Sequence, residues 1–137
     1  MFHHLRGVLE RKAPAECVVD VGGVGYVLTI PLTTYERLPA EGSEVRLLTR
    51  LIVREDSHRL YGFLREEERA FFALLQAVSG VGPQVALGIV SSLPLREFRA
   101  AVSSGDAARL QRVKGVGKRL SERLVVELRD RIGAVAD

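Results

Sequence analysis

Hydrophobic and polar residues alternate along the first 63 residues in the manner of β-strands. Residues 18–21 and 26–30 are rich in β-branched and aromatic side chains, and residues 60–64 form another short apolar segment. The segment 45–53 alternates, with Val45, Leu47, Thr49, Leu51 and Val53 on one face and Arg46, Leu48, Arg50, Ile52 and Arg54 on the other. Five or six short strands in this length predict a small closed β-barrel.

The periodicity becomes helical after Leu64, where Glu66, Glu67 and Glu68 provide the acids favoured at a helix N-terminus. Apolar residues then recur at helical spacing, at Phe71, Leu74, Leu75 and Val78. Further helices are predicted at 83–92, 95–102, 107–112 with Asp106 as N-cap, and from 118 to about 132, where Leu120, Leu124, Leu128 and Ile132 form the apolar face. The chain therefore reads as α+β with two domains, an OB-like β-barrel over residues 1–63 and an all-α domain over residues 64–137.

Composition is that of a globular protein, with 47% hydrophobic residues. The apolar runs are too short to span a bilayer and the first residues lack a signal-peptide stretch, so we expect a cytoplasmic protein that does not contact membranes. Cys17 has no disulfide partner, and the three histidines have no metal-ligand spacing. We expect neither a metal nor another cofactor.

Charge is distributed unevenly. The net charge of +3 lies entirely in residues 64–137, which carry twelve Lys or Arg against nine Asp or Glu. A basic cluster of Arg109, Arg112, Lys114, Lys118, Arg119 and Arg123 contains one acid, Glu122. A cluster of this kind is typical of a surface that binds nucleic acid.

An internal repeat is the most informative motif. Residues 79–86 (Ser-Gly-Val-Gly-Pro-Gln-Val-Ala) recur 35 positions later as residues 114–121 (Lys-Gly-Val-Gly-Lys-Arg-Leu-Ser), each between two predicted helices. A Gly-apolar-Gly link permits positive φ, lets the apolar residue fill the space between helices, and allows a phosphate to approach helix-start amides. A tight turn between packed helices is the simpler interpretation of one copy, but two copies and a basic cluster favour phosphate binding without sequence readout.

Two other patterns argue against nucleotide hydrolysis. The glycines at 22, 23 and 25 lead into a strand rather than a helix, so we interpret them as a turn. The sequence also lacks the glycine-lysine loop of an ATP site. No catalytic residue is predicted.

The chain resembles the RuvA family over essentially its whole length. The resemblance lies in residues 5–7, 20–26, 53–56 with 60–63, 80–83, and 115–118 with 122–124, taken together and in this order. The glycine repeats correspond to tandem helix-hairpin-helix motifs, which many DNA-binding proteins share, so the barrel motifs narrow the resemblance to this family.

The resemblance implies a homo-oligomer, a tetramer or an octamer, that opens a four-way DNA junction flat on a basic face. It also implies two partners, a RuvB-type hexameric AAA+ ATPase that drives branch migration and a RuvC-type resolvase, in recombination and repair. The chain would recognise and position DNA without chemistry of its own. The residues expected to bind phosphates are Gly80, Val81, Gly82, Gln84, Gly115, Val116, Gly117, Lys118, Arg119 and Arg123.

Glu55 and Asp56 have three possible interpretations, as a nuclease site, a solvated turn or a repulsive element. No third carboxylate or histidine is spaced to complete a metal site with them. Residues alone favour a solvated turn, whereas the resemblance implies an acidic pin that repels phosphates at the centre of a tetramer. Arg46 and Arg50 are expected to be surface charges, and Arg54, beside the acids, is a possible DNA contact.

The sequence departs from the family at several positions. Gln84 occupies a commonly basic position, Lys114 replaces a frequent proline, and Leu120-Ser121 replaces a Thr-Ala pair. The family continues into a small third helical domain that contacts the ATPase, so we expect this sequence to be a truncated form or a short version, with coupling to the motor in question.

Two rival functions remain at this point. A generic helix-hairpin-helix module would recruit a repair enzyme to ordinary duplex DNA and would not prefer four-way junctions. A base-excision enzyme would need a catalytic aspartate about twenty residues after a hairpin, and Asp137 has that spacing from Gly117. We disfavour the enzyme because Asp137 is terminal and too little chain remains for a pocket that accepts a flipped base.

Overall fold

The computed structural model describes residues 2–132, and it divides into two compact units between Arg69 and Ala70. Residues 133–137, including the Asp137 considered for glycosylase chemistry, lie outside the described residues.

The first unit is a closed five-stranded barrel with the strand order β1-β2-β3-β5-β4. The strands are β1 His4–Ala13, β2 Glu16–Val21, β3 Val24–Thr29, β4 Glu44–Arg54 and β5 Ser57–Phe63, with a short helix, α1 Leu32–Arg37, between β3 and β4. All neighbours are antiparallel except β3 and β5, which close the barrel in parallel where Thr29 pairs with Tyr61. The predicted OB-like barrel is confirmed.

The barrel core is filled by aliphatic side chains from four strands. Leu9, Val19, Leu28 and Leu47 are fully buried. Gly7 of β1 lies so close to β2 that a Cβ there would be 2.2 Å from the carbonyl oxygen of Asp20. Because that neighbour is backbone, only glycine fits this position.

The glycine-rich segment after β2 is a two-residue turn, as predicted. Val21 pairs with Val24 across it, and Gly22 and Gly23 have φ of +60° and +94°. The amide of Gly23 donates to Oδ1 of Asp20 at 2.9 Å. Two successive positive φ values match the turn that joins twisted antiparallel strands, and glycine adopts them without strain.

The predicted faces of the segment 45–53 are correct only for residues 45–47. Val45 and Leu47 are buried, but Val53 is 56% exposed and Leu48, assigned to the opposite face, is only 6% exposed. Thr49 is buried and its hydroxyl donates to the carbonyl oxygen of Phe2. Alternation fails here because the middle of β4 is covered on both faces and its end extends beyond the barrel core.

The described residues of the second unit form five helices, of which the first, α2, begins in the last residues of the first unit. They are α2 Glu66–Gln76, α3 Pro83–Ser92, α4 Leu95–Ser104, α5 Ala107–Leu110 and α6 Lys118–Leu128. The predicted N-cap is confirmed, since Oδ1 of Asp106 accepts from the amide of Arg109 at 3.1 Å. Helix α6 ends at Leu128, before the predicted end near 132, although Ile132 is still buried.

Aromatic residues form the centre of the helical unit. Phe71, Phe72 and Phe98 are almost completely buried, and the rings of Phe71 and Phe98 are 4.8 Å apart between centroids. Among the described residues, no helix is long and apolar enough to cross a membrane. The fold as a whole is α+β, with a barrel followed by helices, as predicted from the sequence.

Candidate nucleic-acid interface

The two copies of the repeat form turns with the same backbone. Turn 1 comprises residues 79–82, between α2 and α3, and turn 2 comprises residues 114–117, before α6. The first glycines of the turns, Gly80 and Gly115, have φ of +90° and +91°. Such φ values favour glycine, which explains why both copies have it at this position.

The apolar residue of each turn is buried between helices. Val81 is 7% exposed and Val116 is 5% exposed. Their amides donate to the carbonyl oxygens of Val78 and Val113 at 3.1 Å and 3.0 Å. The sequence-based expectation that this side chain fills the space between helices therefore agrees with its burial.

The second glycines, Gly82 and Gly117, have a different role from the first. They are the N-caps of α3 and α6 with extended backbone, at φ −85° and −91°, so positive φ is not what requires glycine there. A Cβ on either residue would have nothing within 4 Å. Glycine is a favoured N-cap residue, and the open face that it leaves at a helix start has room for a phosphate to approach the free amides of the first turn.

The two helix starts differ in the groups that they offer. At the start of α6, Lys118 and Arg119 are exposed and, within the described residues, have no ion-pair partner. The equivalent positions of α3 are Pro83, which has no N–H, and Gln84, which has no charge. Helix α6 thus offers more amides and more positive charge than α3.

Arg123 lies on α6 but contacts turn 1. Its Nη1 donates to the carbonyl oxygen of Ser79 at 3.0 Å, and its Nε is 3.8 Å from Oε2 of Glu127. Half of the side chain remains exposed. The sequence singled out this residue as a cation, but spacing along the chain gave no signal that it reaches the other copy of the repeat.

The basic cluster is smaller in the structure than in the sequence. Arg109 is paired with Glu97 of α4, so its charge is largely compensated. Arg112 and Lys114 are exposed. This ion pair was not predicted, because Glu97 lies outside the basic segment 109–123.

Glu55 and Asp56 form the two-residue turn between β4 and β5. Arg54 pairs with Ser57 across the turn, and both carboxylates are exposed, as is Arg54. Within residues 2–132, no group of three or more His, Cys, Asp or Glu side chains is arranged to hold a metal ion. The exposed turn provides two adjacent negative charges at the tip of a β-hairpin.

The groups with shifted pKa values lie in the barrel, apart from the two turns. Burial, with a smaller contribution from the negative charge of Glu16, raises the pKa of the Cys17 thiol to about 11. Burial also raises the pKa of Tyr61, against the opposing effect of Arg59 and Arg54. Because neither residue lies in a repeat turn, they offer no reactive group at the candidate interface.

Comparison with known proteins agrees with this architecture. A model described as the RuvA N terminal domain matches residues 1–62, and one described as a SAM-like helix-hairpin-helix tandem matches residues 72–130. A Holliday junction branch migration complex subunit RuvA from Syntrophotalea carbinolica is 52% identical over 98% of this chain and 68% of that protein. The chain belongs to the RuvA family.

Two further relatives give the same result. RuvA subunits of the Holliday junction branch migration complex from Chlorobium phaeobacteroides and Idiomarina loihiensis are 50% and 46% identical, each over 96% of this chain. The chain spans 66% and 64% of their respective lengths. The family resemblance drawn from the sequence motifs is confirmed, and the tandem model covers both turns of the RuvA chain.

Proposed function

We propose that this chain binds four-way DNA junctions as a symmetric homo-oligomer and holds them open for branch migration. In this proposal a RuvB-type hexameric AAA+ ATPase moves the DNA and a RuvC-type resolvase acts on the same junction, in recombination and repair. Support comes from RuvA relatives, which are named as subunits of a Holliday junction branch migration complex. The oligomer would be a tetramer or an octamer.

The observation that carries the proposal is the pair of turns with matching backbones. Both present an open second glycine at a helix start, where backbone amides can hold phosphate oxygens. Amide and cation contacts of this kind bind the DNA backbone and do not read its sequence. The proposed phosphate contacts at turn 1 are Gly80, Val81, Gly82 and Gln84. Those at turn 2 are Gly115, Val116, Gly117, Lys118 and Arg119, and Arg123 is a further proposed contact.

Two turns per subunit also suit a branched substrate. A symmetric oligomer repeats the pair once per subunit, so each subunit contributes two backbone contacts to a structure with several duplex arms. A single backbone-binding turn would serve a linear duplex equally well. We therefore propose that the preference for a four-way junction over linear duplex comes from the oligomer and not from a single turn.

We assign the β4–β5 turn a repulsive role. Glu55 and Asp56 are exposed at its tip, where they would repel phosphates and help to keep strands apart at the crossover. Arg54 at the end of β4 is a possible DNA contact beside them. In this assignment the acids affect the shape of the bound junction more than its affinity.

The chain itself would act without catalysis, cofactor or metal, as the DNA-binding subunit in the cytoplasm. The proposed division of labour follows the domains predicted from the sequence, with residues 1–63 carrying the acidic tip and residues 64–137 carrying the phosphate contacts. Motor and nuclease activities would belong to the partners.

A gel-shift titration tests the proposal. The purified chain is titrated onto a synthetic four-way junction and onto linear duplex of matched sequence, at two salt concentrations with magnesium present. We expect discrete junction complexes that survive excess duplex competitor. Equal, salt-sensitive affinity for both DNAs would instead indicate a generic helix-hairpin-helix module, and light scattering on the same sample gives the oligomer size.

The acidic tip has its own test in the double variant Glu55→Gln with Asp56→Asn. Junction affinity should be unchanged or higher, because removing like charge cannot weaken a contact with phosphate. The matched control is Glu10→Gln with Glu44→Gln, two exposed acids of the same barrel, one on β1 and one at the start of β4. Loss of binding in the tip variant alone would contradict a repulsive role.

A further inference from the structure

We infer that Arg123, although carried by the helix of turn 2, is a functional part of turn 1. It holds the turn 1 backbone in place and supplies the positive charge that the start of α3 lacks. The inference rests on the proposed function, because it assigns a source of charge to one of two phosphate sites.

The first step is the contact itself. A guanidinium N–H donates to the Ser79 carbonyl oxygen at 3.0 Å, and a Cβ built on Gly80 would lie 3.2 Å from the same Nη1. The arginine therefore hydrogen-bonds to Ser79 and lies next to the space that a side chain at Gly80 would occupy. A hydrogen bond from a charged donor is stronger than a neutral one, so this contact restrains a segment that has left-handed backbone.

The second step is the charge at turn 1. The positions equivalent to Lys118 and Arg119 are Pro83 and Gln84, so the start of α3 has no cation of its own. Arg123 brings a cation to this turn through its hydrogen bond to the Ser79 carbonyl oxygen. With half of its side chain exposed, it retains N–H groups that can face solvent or a phosphate.

The third step is that only one helix supplies a cation to the other copy's turn: α6 supplies Arg123 to turn 1, but α3 supplies none to turn 2. The repeat offset of 35 makes Gly88 of α3 the equivalent of Arg123, and a Cβ on Gly88 would lie 3.9 Å from the carbonyl oxygen of Lys114. Helix α3 thus approaches turn 2 closely, but the side chain that it brings there is the apolar Val85, and the helix has no charged residue. Turn 2 has Lys118 and Arg119 next to it in sequence, whereas turn 1 depends on a residue from the other copy.

Glu127 moderates the charge of Arg123. Its carboxylate is 3.8 Å from Nε, on an exposed face where such a pair is weak and screened by salt. A phosphate at turn 1 can therefore replace Glu127 as the anion that the guanidinium faces. The contact with Ser79 uses a different nitrogen and would persist.

The test is a double-mutant cycle between Arg123→Met and Gln84→Lys, measured as affinity for the four-way junction and for linear duplex. We expect Arg123→Met to weaken both by about tenfold. Gln84→Lys should then recover more affinity in the Arg123→Met background than it adds to the unaltered protein, because it restores a missing charge at the same turn. Equal gains in the two backgrounds would overturn the inference.

The matched control replaces Arg119, an exposed arginine on the same helix. Gln84→Lys should add no more affinity in an Arg119→Met background than it adds to the unaltered protein, since the loss caused by Arg119→Met occurs at turn 2. The same recovery in both backgrounds would show that the introduced lysine acts as a general positive charge, which also contradicts a specific link between Arg123 and turn 1.

Amide hydrogen exchange without DNA tests the restraint separately. Arg123→Met should speed exchange of the amides of Gly80 and Val81 at least severalfold and leave those of Gly115 and Val116 unchanged. Arg123→Lys, with fewer donors, should give an intermediate result. Unchanged exchange at turn 1 would overturn the restraint, and this readout remains valid even if the chain shows no junction preference, so the two failures can be distinguished.

Discussion

The two turns share a backbone but differ in chemistry. Gly80 and Gly115 have φ values within one degree of each other, and Val81 and Val116 are buried to a similar extent. Turn 2, however, leads into Lys118 and Arg119, whereas turn 1 leads into Pro83 and Gln84. Turn geometry and electrostatic attraction are therefore specified by different residues.

A repeated turn can therefore keep the same backbone shape while its expected affinity for phosphate differs between the copies. The first glycine and the buried valine specify the turn, and neither carries charge. Cations at the following helix start provide salt-dependent attraction to the DNA backbone. We therefore expect turn 2 to contribute most of the affinity, and turn 1 to contribute position and a smaller share.

The largest effect should come from reversing the charge at turn 2. Lys118→Glu with Arg119→Glu replaces two attractive contacts by repulsion, and we expect affinity for junction and duplex to fall by roughly a hundredfold at low salt. The salt dependence of binding should also become less steep.

The control for this variant is Arg96→Glu with Arg131→Glu, two exposed arginines outside the repeat. It makes the same change in net charge and should have a much smaller effect on affinity. Similar losses in the two variants would mean that overall charge, rather than turn 2, attracts the DNA.

The next largest effect concerns the first glycines. Gly80→Ala and Gly115→Ala both place a side chain at φ near +90°, which costs about 1–2 kcal/mol of folding free energy. Gly80→Ala should cost more, because its Cβ would lie 3.2 Å from Nη1 of Arg123, whereas at Gly115 the nearest atom, of Val85, is at 3.9 Å. Urea unfolding followed by circular dichroism measures both, and equal costs would contradict this difference.

The second glycines should separate binding from stability. Gly82→Ala and Gly117→Ala meet nothing within 4 Å, so the midpoint of thermal unfolding should barely change. Affinity should fall about fivefold in each variant, in line with the loss of about one hydrogen bond, because the methyl group keeps phosphate from the amides. Unchanged DNA affinity in Gly117→Ala would show that turn 2 does not approach a phosphate.

The smallest effect should come from giving turn 1 a cation of its own. Gln84→Lys adds one exposed positive charge, and we expect about a threefold gain in affinity at low salt that disappears at high salt. The introduced ammonium group and the Arg123 guanidinium repel each other, which limits the gain. A gain much larger than threefold would mean that Arg123 does not serve turn 1 as a cation in the unaltered protein.

The sequence predicted the elements that depend on local signals. The Asp106 cap, the turn at Gly22 and Gly23, and the barrel followed by helices all follow from residue type and spacing. Helix α1 was not predicted. It has only six residues and buries only Thr34, so it has no apolar periodicity to detect. Strand β1, His4–Ala13, was included only in the strand count, because its outward face carries Arg6, Val8 and Glu10 without a clear pattern.

The sequence predicted the two glycine turns but not the contacts that they make across the fold. The repeat located all four glycines, yet assigned positive φ to the motif as a whole, whereas only the first glycine of each copy adopts it. The pairing of Arg109 with Glu97 and the reach of Arg123 to Ser79 depend on how the helices pack. Packing of this kind brings together residues that no sequence spacing connects.

The parallel closure of the barrel has a consequence for how the first unit folds. Strands β1, β2 and β3 are joined by short turns, as are β4 and β5, so both groups can form from nearby contacts. The two groups are joined at two seams, where β1 pairs with β4 (His4 with Leu48) and β3 pairs with β5 (Thr29 with Tyr61), and each seam closes a long stretch of chain, which is entropically slow. The two seams are therefore expected to form after the groups themselves and to set the folding rate of the barrel.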